Sequence, residues 1–179
     1  MTDMIVQMAE SKIKTKFGEY REVLFYDGKS ESIALVHGDV SGKDNVVTRV
    51  HSSCLYGHAF NSIECDCREQ MELSQQMIEK AGCGVIIWLE HEGKGNGHFA
   101  LMKSKDFKNR GMKQGDAYEA AGFSRDARDF TPAAEILKTL SVESIIMLTD
   151  NPGKVSTLTA HGVKVSAVRA VDNTLSSEI

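Results

Sequence analysis

The order of apolar and polar positions separates a strand-rich first part from a mixed second part. KIKTKFGEYREVLFYD, Lys12 to Asp27, sets a glycine-containing turn between two runs of β-prone residues and predicts a hairpin. ESIALVHGDV and NVVTRVHS are short apolar runs bounded by Gly, Asp and Asn, and predict further strands. The period then changes. In REQMELSQQMIEKAG, Met71, Ser74, Met77 and Ile78 share one face, the outer face is charged, and Gly82 is a stop signal, so a helix is predicted. GVIIWLE, residues 84–90, is a candidate buried strand that runs into the glycine-rich HEGKGNGH. Residues 99–122 read as helix in pieces, with Gly111, Gly115 and Gly122 as punctuation. TPAAEILKTL predicts a helix with Thr131 as N-cap and Pro132 at the first helical position, where a missing N–H costs nothing. SIIMLTDNPGKV reads as strand, turn and a helix running toward Gly162; VKVSAV is a last strand and TLSSEI a short polar tail. Strands first, then strands alternating with helices, indicate an α+β fold: a mixed sheet with flanking helices.

Composition narrows the class. The 179 residues suit a single domain spanning 1–179, and 41% hydrophobic with 26% charged residues is ordinary for a globular chain with a real core. A formal net charge of -4 and a pI near 5.9 argue against a nucleic-acid partner, which wants a basic face. A small anionic substrate stays open, because a local pocket can be positive on an acidic protein. No run is apolar and long enough to span a bilayer, and MTDMIVQMAESK lacks the basic and apolar regions of a signal peptide. The expected setting is cytoplasmic and reducing, where clustered cysteines bind metal or do chemistry more often than they form disulfides.

Three of the four cysteines fall in CLYGHAFNSIECDC, at Cys54, Cys65 and Cys67. A C-x10-C-x-C spacing brings three thiolates to one zinc if the spacer turns back, and three protein ligands leave a fourth position open, the catalytic pattern for that metal. Cys83 reads as a buried free thiol after Gly82, and His58, inside the spacer, is an alternative ligand or a plain loop histidine. The bland alternative for the cluster is a set of unrelated thiols. Arg49 and His51 precede the first cysteine, and an Arg beside a metal suits an anionic substrate. HEGKGNGH resembles a phosphate-cradling loop, but it lacks Walker A spacing and is weak evidence alone. LTDNPGK turns at Asn151-Pro152 and brings Thr149 and Lys154 to a helix start, where backbone N–H groups and an ammonium can hold phosphate. In SRDARDF, Asp126 and Arg128 share one side of an extended loop; on spacing alone a solvated charge run describes them as well.

RVHSSCLYGHAFNSIECDC, EGKGNG, AGFSRDARDF and LTDNPGKV together resemble the GTP cyclohydrolase II family, over residues 10–168. The resemblance implies an α+β fold of that type with zinc on Cys54, Cys65 and Cys67, and commonly a homodimer. It implies that an activated water attacks carbon 8 of guanine, that the imidazole ring opens with loss of formate, and that pyrophosphate leaves with the help of Mg2+. The arginine matching Arg128 is the family's proposed nucleophile at the α-phosphate, and the carboxylate matching Asp126 is its partner base. A guanidinium with a pKa above about 12 needs such activation; stabilising phosphoryl charge is the other role open to Arg128. Arg49, Val50, His51, Ser52, Ser53, Gln70, Glu92, Gly93, Lys94, Gln114, Thr149 and Lys154 match nucleotide-contacting positions.

The sequence departs from the family within the site. GHFALMKSKD stands where G-L-x-N-K and a following Ala-Tyr are usual, so that Lys105 aligns with the tyrosine near the ring-opening step. Lys94 replaces an arginine, Ser53 the glutamate of R-V-H-S-E, and Gln114 a threonine. Arg to Lys loses a bidentate fork. The expected activity is zinc-dependent ring opening of a purine nucleotide, GTP first, either complete or arrested at a formamide. The alternatives are ring opening of a pyrimidine nucleotide such as UMP, and nucleotide binding without catalysis.

Overall fold

The fold is taken from a computed structural model that describes residues 5–171; the polar tail expected at 174–179 lies outside the described residues. The chain divides into two compact units. One consists of Met1–His51, Asp66–Leu89 and Phe130–Ile179, the other of Ser52–Cys65 and Glu90–Asp129.

The first unit carries a seven-stranded mixed sheet in the order β1-β2-β3-β5-β4-β6-β7. Its strands are β1 (Val6–Thr15), β2 (Gly18–Tyr26), β3 (Glu31–His37), β4 (Val46–Ser52), β5 (Gly84–Leu89), β6 (Ile145–Leu148) and β7 (Val165–Arg169). β1, β2, β3 and β5 pair antiparallel in turn, and β4, β6 and β7 pair parallel. The expected hairpin is present, with Thr15 opposite Gly18 across a two-residue turn.

Because successive strand residues point to opposite faces, alternation assigns each side chain to a layer. Val85, Ile87 and Leu89 of β5, Val46 and Val50 of β4, and Ile145 and Met147 of β6 join one core. That core is closed by Ala133, Ala134, Ile136 and Leu137 of α5 (Thr131–Thr139) and by Leu158 of α6 (Pro152–Ala160). The intervening residues Val47, Ile86 and Leu148 face the other way, onto Ile78, Met71 and Met77 of α2 (Cys67–Ala81). Arg49 and His51 share the parity of Val47 and so lie on the α2 face. Gly84 lets β5 approach β4 and α2: a methyl built on it would fall 2.5 Å from the Val47 carbonyl oxygen and 2.8 Å from Ile78.

The second unit holds α1 (Leu55–His58), a 3-10 turn at Glu92–Gly95, α3 (His98–Asn109) and α4 (Gln114–Ala120). No helix among the described residues is long and apolar enough to cross a membrane.

Three local expectations shift. Thr131 is the first residue of α5 rather than its cap, which is Phe130; the Thr131 hydroxyl stands 3.5 Å from His161 Nε2. Gly115 lies inside α4 instead of between helices, where a methyl would meet Arg125 at 2.8 Å. Cys83 is free as expected but only half-buried, packed on the rim of the first core.

Candidate active site and metal centre

α1 folds the chain back so that Cys54 Sγ lies 3.7 Å from Cys65 Sγ. Cys67 is two residues further on and opens α2, and the thiol sulfurs of Cys54, Cys65 and Cys67 all lie within 4.8 Å of one another. Two sulfurs bound at about 2.3 Å to a tetrahedral zinc lie about 3.8 Å apart, so the donor set fits that ion. None of the four cysteines is in a disulfide. The only metal-capable group among the described residues is this triad, and His58 is not part of it.

In the first unit the residues expected from the sequence to hold phosphate sit at the end of β4 and the loop after β6. Arg49 is 6% exposed; its Nη1 donates to the Leu148 carbonyl at 2.9 Å and its Nη2 to Gln70 Oε1 at 2.5 Å. Gln70 is held in turn by its own bond to Asp66 Oδ2, 2.8 Å. Nε of Arg49 has no hydrogen-bond partner among the described residues. Burial lowers the Arg49 pKa, and the charges of Asp150, Cys67 and Asp66 partly offset that. Val50 is core, and His51 is buried and stacked on Trp88 with ring centroids 5.6 Å apart. Thr149 Oγ1 accepts from the Asn151 amide, and Asn151 Oδ1 caps α6 by accepting from the Gly153 amide. Lys154 is buried, lies over the Phe130 ring and donates from Nζ to the Val50 carbonyl at 2.8 Å.

In the second unit the glycine-rich loop and the SRDARDF segment are clasped together. The Ala127 amide donates to the Lys94 carbonyl at 2.9 Å and Asn96 Nδ2 to the Ser124 carbonyl at 2.9 Å. A methyl on Gly95 would fall 2.8 Å from the Ala127 carbonyl, so only glycine admits this contact. Lys94 itself takes a left-handed φ of 54°, uncommon for a residue with a Cβ. Its ammonium is pushed below its ordinary pKa by burial first and then by the charge of Arg128, with Asp126 opposing. Asp126 and Arg128 do meet: Arg128 Nε donates to Oδ1 at 2.8 Å, Nη2 to Oδ2 at 2.5 Å and the Arg128 amide to Oδ1 at 3.2 Å. Burial alone would raise the Asp126 pKa, but the Arg128 bonds and the Lys94 charge outweigh it and hold the carboxyl below its ordinary value.

Ser52 Oγ lies 3.4 Å from His91 Nδ1, and Ser53 Oγ accepts from the His91 amide at 2.9 Å. Gln114 donates to the Ser104 hydroxyl, 3.0 Å. Lys105 projects from α3 to an ion pair with Glu64 at 2.9 Å, over the Tyr56 ring; the bond raises the lysine pKa and lowers that of the glutamate.

Three features carried no signal in the spacing. Glu92 accepts from the Leu55 amide at 2.9 Å and meets His98 Nδ1 at 2.9 Å, tying the glycine-rich loop to the residue after Cys54. Trp88 supports His51. Tyr118, on α4, is 1% exposed, and its Oη lies 3.5 Å from where a Gly93 Cβ would stand. Its pKa is pushed up to about 12, by burial first and then by Glu92 and Cys54.

The GTP cyclohydrolase II family model matches residues 6–170. The riboflavin biosynthesis protein RibBA of Endomicrobium trichonymphae is 36% identical over 164 residues; the match covers 90% of this chain and 41% of that protein, so the chain spans less than half of it. GTP cyclohydrolase-2 of Buchnera aphidicola subsp. Baizongia pistaciae is 35% identical over 165 residues, 90% of this chain and 83% of that one. Among solved structures, the crystal structure of RibBX, a two-domain 3,4-dihydroxy-2-butanone 4-phosphate synthase from A. baumannii, superposes with a TM-score of 0.53 at 15% identity. The superposition covers 93% of this chain and 40% of that one, and this likeness concerns the fold alone. With a family match over nearly its whole length and relatives named as hydrolases of GTP, the chain belongs to the GTP cyclohydrolase II family.

Proposed function

We propose that the chain is a zinc-dependent hydrolase that opens the imidazole ring of GTP, releasing formate and pyrophosphate. The observation that carries this reading is the set of three thiols gathered within 4.8 Å of one another, one pair at 3.7 Å, in a chain of this family. When bound by Cys54, Cys65 and Cys67, zinc supplies Lewis acidity that brings the pKa of water near 7.

The chain's own residues divide the remaining work. Glu92, Gly93, Lys94, Ser52, Ser53 and Gln114 contact the nucleotide from the second unit. Arg49, Val50, His51, Gln70, Thr149 and Lys154 hold the nucleotide from the first unit. Arg128 acts at the α-phosphate, and the Asp126 carboxylate fixes its guanidinium in one plane through two parallel bonds, the geometry that suits a phosphate oxygen. Mg2+ accompanies the substrate phosphates. Lys105, at the position of the family's tyrosine, is assigned to the later hydrolysis; if an ammonium cannot replace the phenol there, the reaction stops at a formamide. The protein works in the cytoplasm as a homodimer.

Mass spectrometry of products tests the reading, with zinc-loaded protein incubated with GTP and Mg2+, and separately with UMP. Formate and pyrophosphate from GTP are expected. A ring-opened product that keeps its formyl group would place the departure at the second hydrolysis. Turnover of UMP alone would move the protein to pyrimidine chemistry, and silence with both would leave a nucleotide-binding protein.

A further inference from the structure

Tyr118 is a buried ring whose hydroxyl still reaches solvent. The side chain is 1% exposed. No hydrogen bond to its hydroxyl is made among the described residues. Its Oη lies against the backbone of the glycine-rich loop, 3.5 Å from the point where a Cβ on Gly93 would stand, and Leu101 Cβ closes the same point at 3.6 Å. Gly93 takes a φ of +60°, so a side chain there would be strained as well as crowded. The loop therefore leaves its Cα open beside the phenol, and Glu92 and Lys94 flank that point in sequence.

For folding alone, phenylalanine would serve this place as well. It would keep the ring packing, so the hydroxyl is not what fills the place, and its partner is water or a ligand. A phenol kept here has its partner outside the chain. The charged groups that act on it are Glu92, Cys54, Arg128 and Asp126, the same residues that the proposed function places at the metal and at the nucleotide.

We propose that Tyr118 is a substrate-contacting residue of this site, its hydroxyl donating a hydrogen bond to an acceptor atom of the nucleobase during ring opening. A neutral phenol donates one proton and accepts on two lone pairs, which matches a purine carbonyl or ring nitrogen. Burial favours the neutral form, so the group acts as a donor and not as a base. The inference rests on the proposed ring-opening activity and supplies the site with a phenol from α4, on a different element from the α3 position where the family carries one. Lys105 at that position is engaged with Glu64.

The test is Tyr118→Phe, which keeps the ring and removes one oxygen. Zinc content, thermal midpoint, formate release from GTP and nucleotide affinity by calorimetry are measured beside the wild type. The expected result is formate release about 100-fold slower, with zinc content and midpoint unchanged, since a positioned proton donor contributes at least that factor. Formate release and affinity both within twofold of wild type would overturn the proposal, as would a slow rate that only tracks lost zinc. If wild-type protein turns over no GTP, the proposed function fails by that result. Tyr118 is then judged by affinity for whichever of GTP and UMP binds: a loss of about tenfold upholds the contact, and unchanged affinity, or binding of neither nucleotide, overturns it.

Discussion

Asp126→Asn separates a bond kept for function from one kept for stability. The carboxylate takes three donors from Arg128: the amide at 3.2 Å, Nε at 2.8 Å and Nη2 at 2.5 Å. Asparagine offers one acceptor and one NH2 group, so one of the two guanidinium N–H groups would face another donor and the fork opens. In folding terms the loss is small, because the Asp126 side chain is 40% exposed and the Arg128 side chain 11%. A pair with one solvated partner contributes about 0.2–1 kcal/mol. For a chain of this length that is a drop of no more than about 4 °C in Tm. In function the loss is large, because an unanchored guanidinium has to be ordered at each turnover; pyrophosphate release is expected to fall about 100-fold or more. The pH dependence has a definite sign. The Asp126 pKa is held below its ordinary value, so the pair's contribution is complete above the unfolded carboxyl pKa of about 3.9. It is lost only as pH falls through the lower folded value. Between pH 5 and 8 the difference in Tm between Asp126→Asn and wild type should therefore stay constant. Thermal unfolding and a coupled pyrophosphate assay are the measurements. Unchanged pyrophosphate release would refute the role given to the fork, and a Tm loss above about 8 °C would show that the pair holds the loop rather than the substrate.

Three further substitutions probe other parts of the site and its scaffold. Cys65→Ser should reduce bound zinc from one per chain to well below that in elemental analysis and abolish ring opening; full metal content with full turnover would remove the thiol triad from the mechanism. Arg49→Lys cannot reach both the Leu148 carbonyl and Gln70 Oε1, so urea unfolding should show a loss of about 2 kcal/mol, one charge-assisted bond, together with weaker GTP binding; unchanged values in both would mean that the fork carries nothing. Gly84→Ala places a methyl 2.5 Å from the Val47 carbonyl and 2.8 Å from Ile78, and should destabilise by about 3 kcal/mol, seen as a Tm drop of roughly 6–12 °C; an unchanged Tm would show that β5 shifts freely.

The sequence carried the chemistry along the chain better than the chemistry across it. Strands, α2 and α6 follow from local period and from turn residues: Gly82 takes the left-handed φ of 76° that ends α2, and Asn151 caps α6, both as their residue types predict. The Asp126–Arg128 fork was legible only in part: two positions apart on an extended loop is a local relation, but on spacing alone a solvated charge run is the favoured reading. The cap of α5 was misplaced by one residue because the Thr131 hydroxyl lies toward His161, and no pattern within TPAAEILKTL records that neighbour. Gly115 was misread because its small size serves the approach of Arg125 and not a break in the helix. Tyr118 was invisible for a stronger form of the same reason. In AYEAAGF it is one apolar residue of a short helix. It becomes a site residue only when α4 sets its hydroxyl beside Gly93, and Gly93 is open there because its φ is positive. The family's tyrosine is sought by alignment at position 105, where this chain has a lysine tied to Glu64. A catalytic phenol is defined by where its oxygen stands, and one strand or helix can supply what another has lost. Alignment by position therefore reads position 105 as a loss, while the fold sets a solvent-reaching hydroxyl beside the same glycine-rich loop.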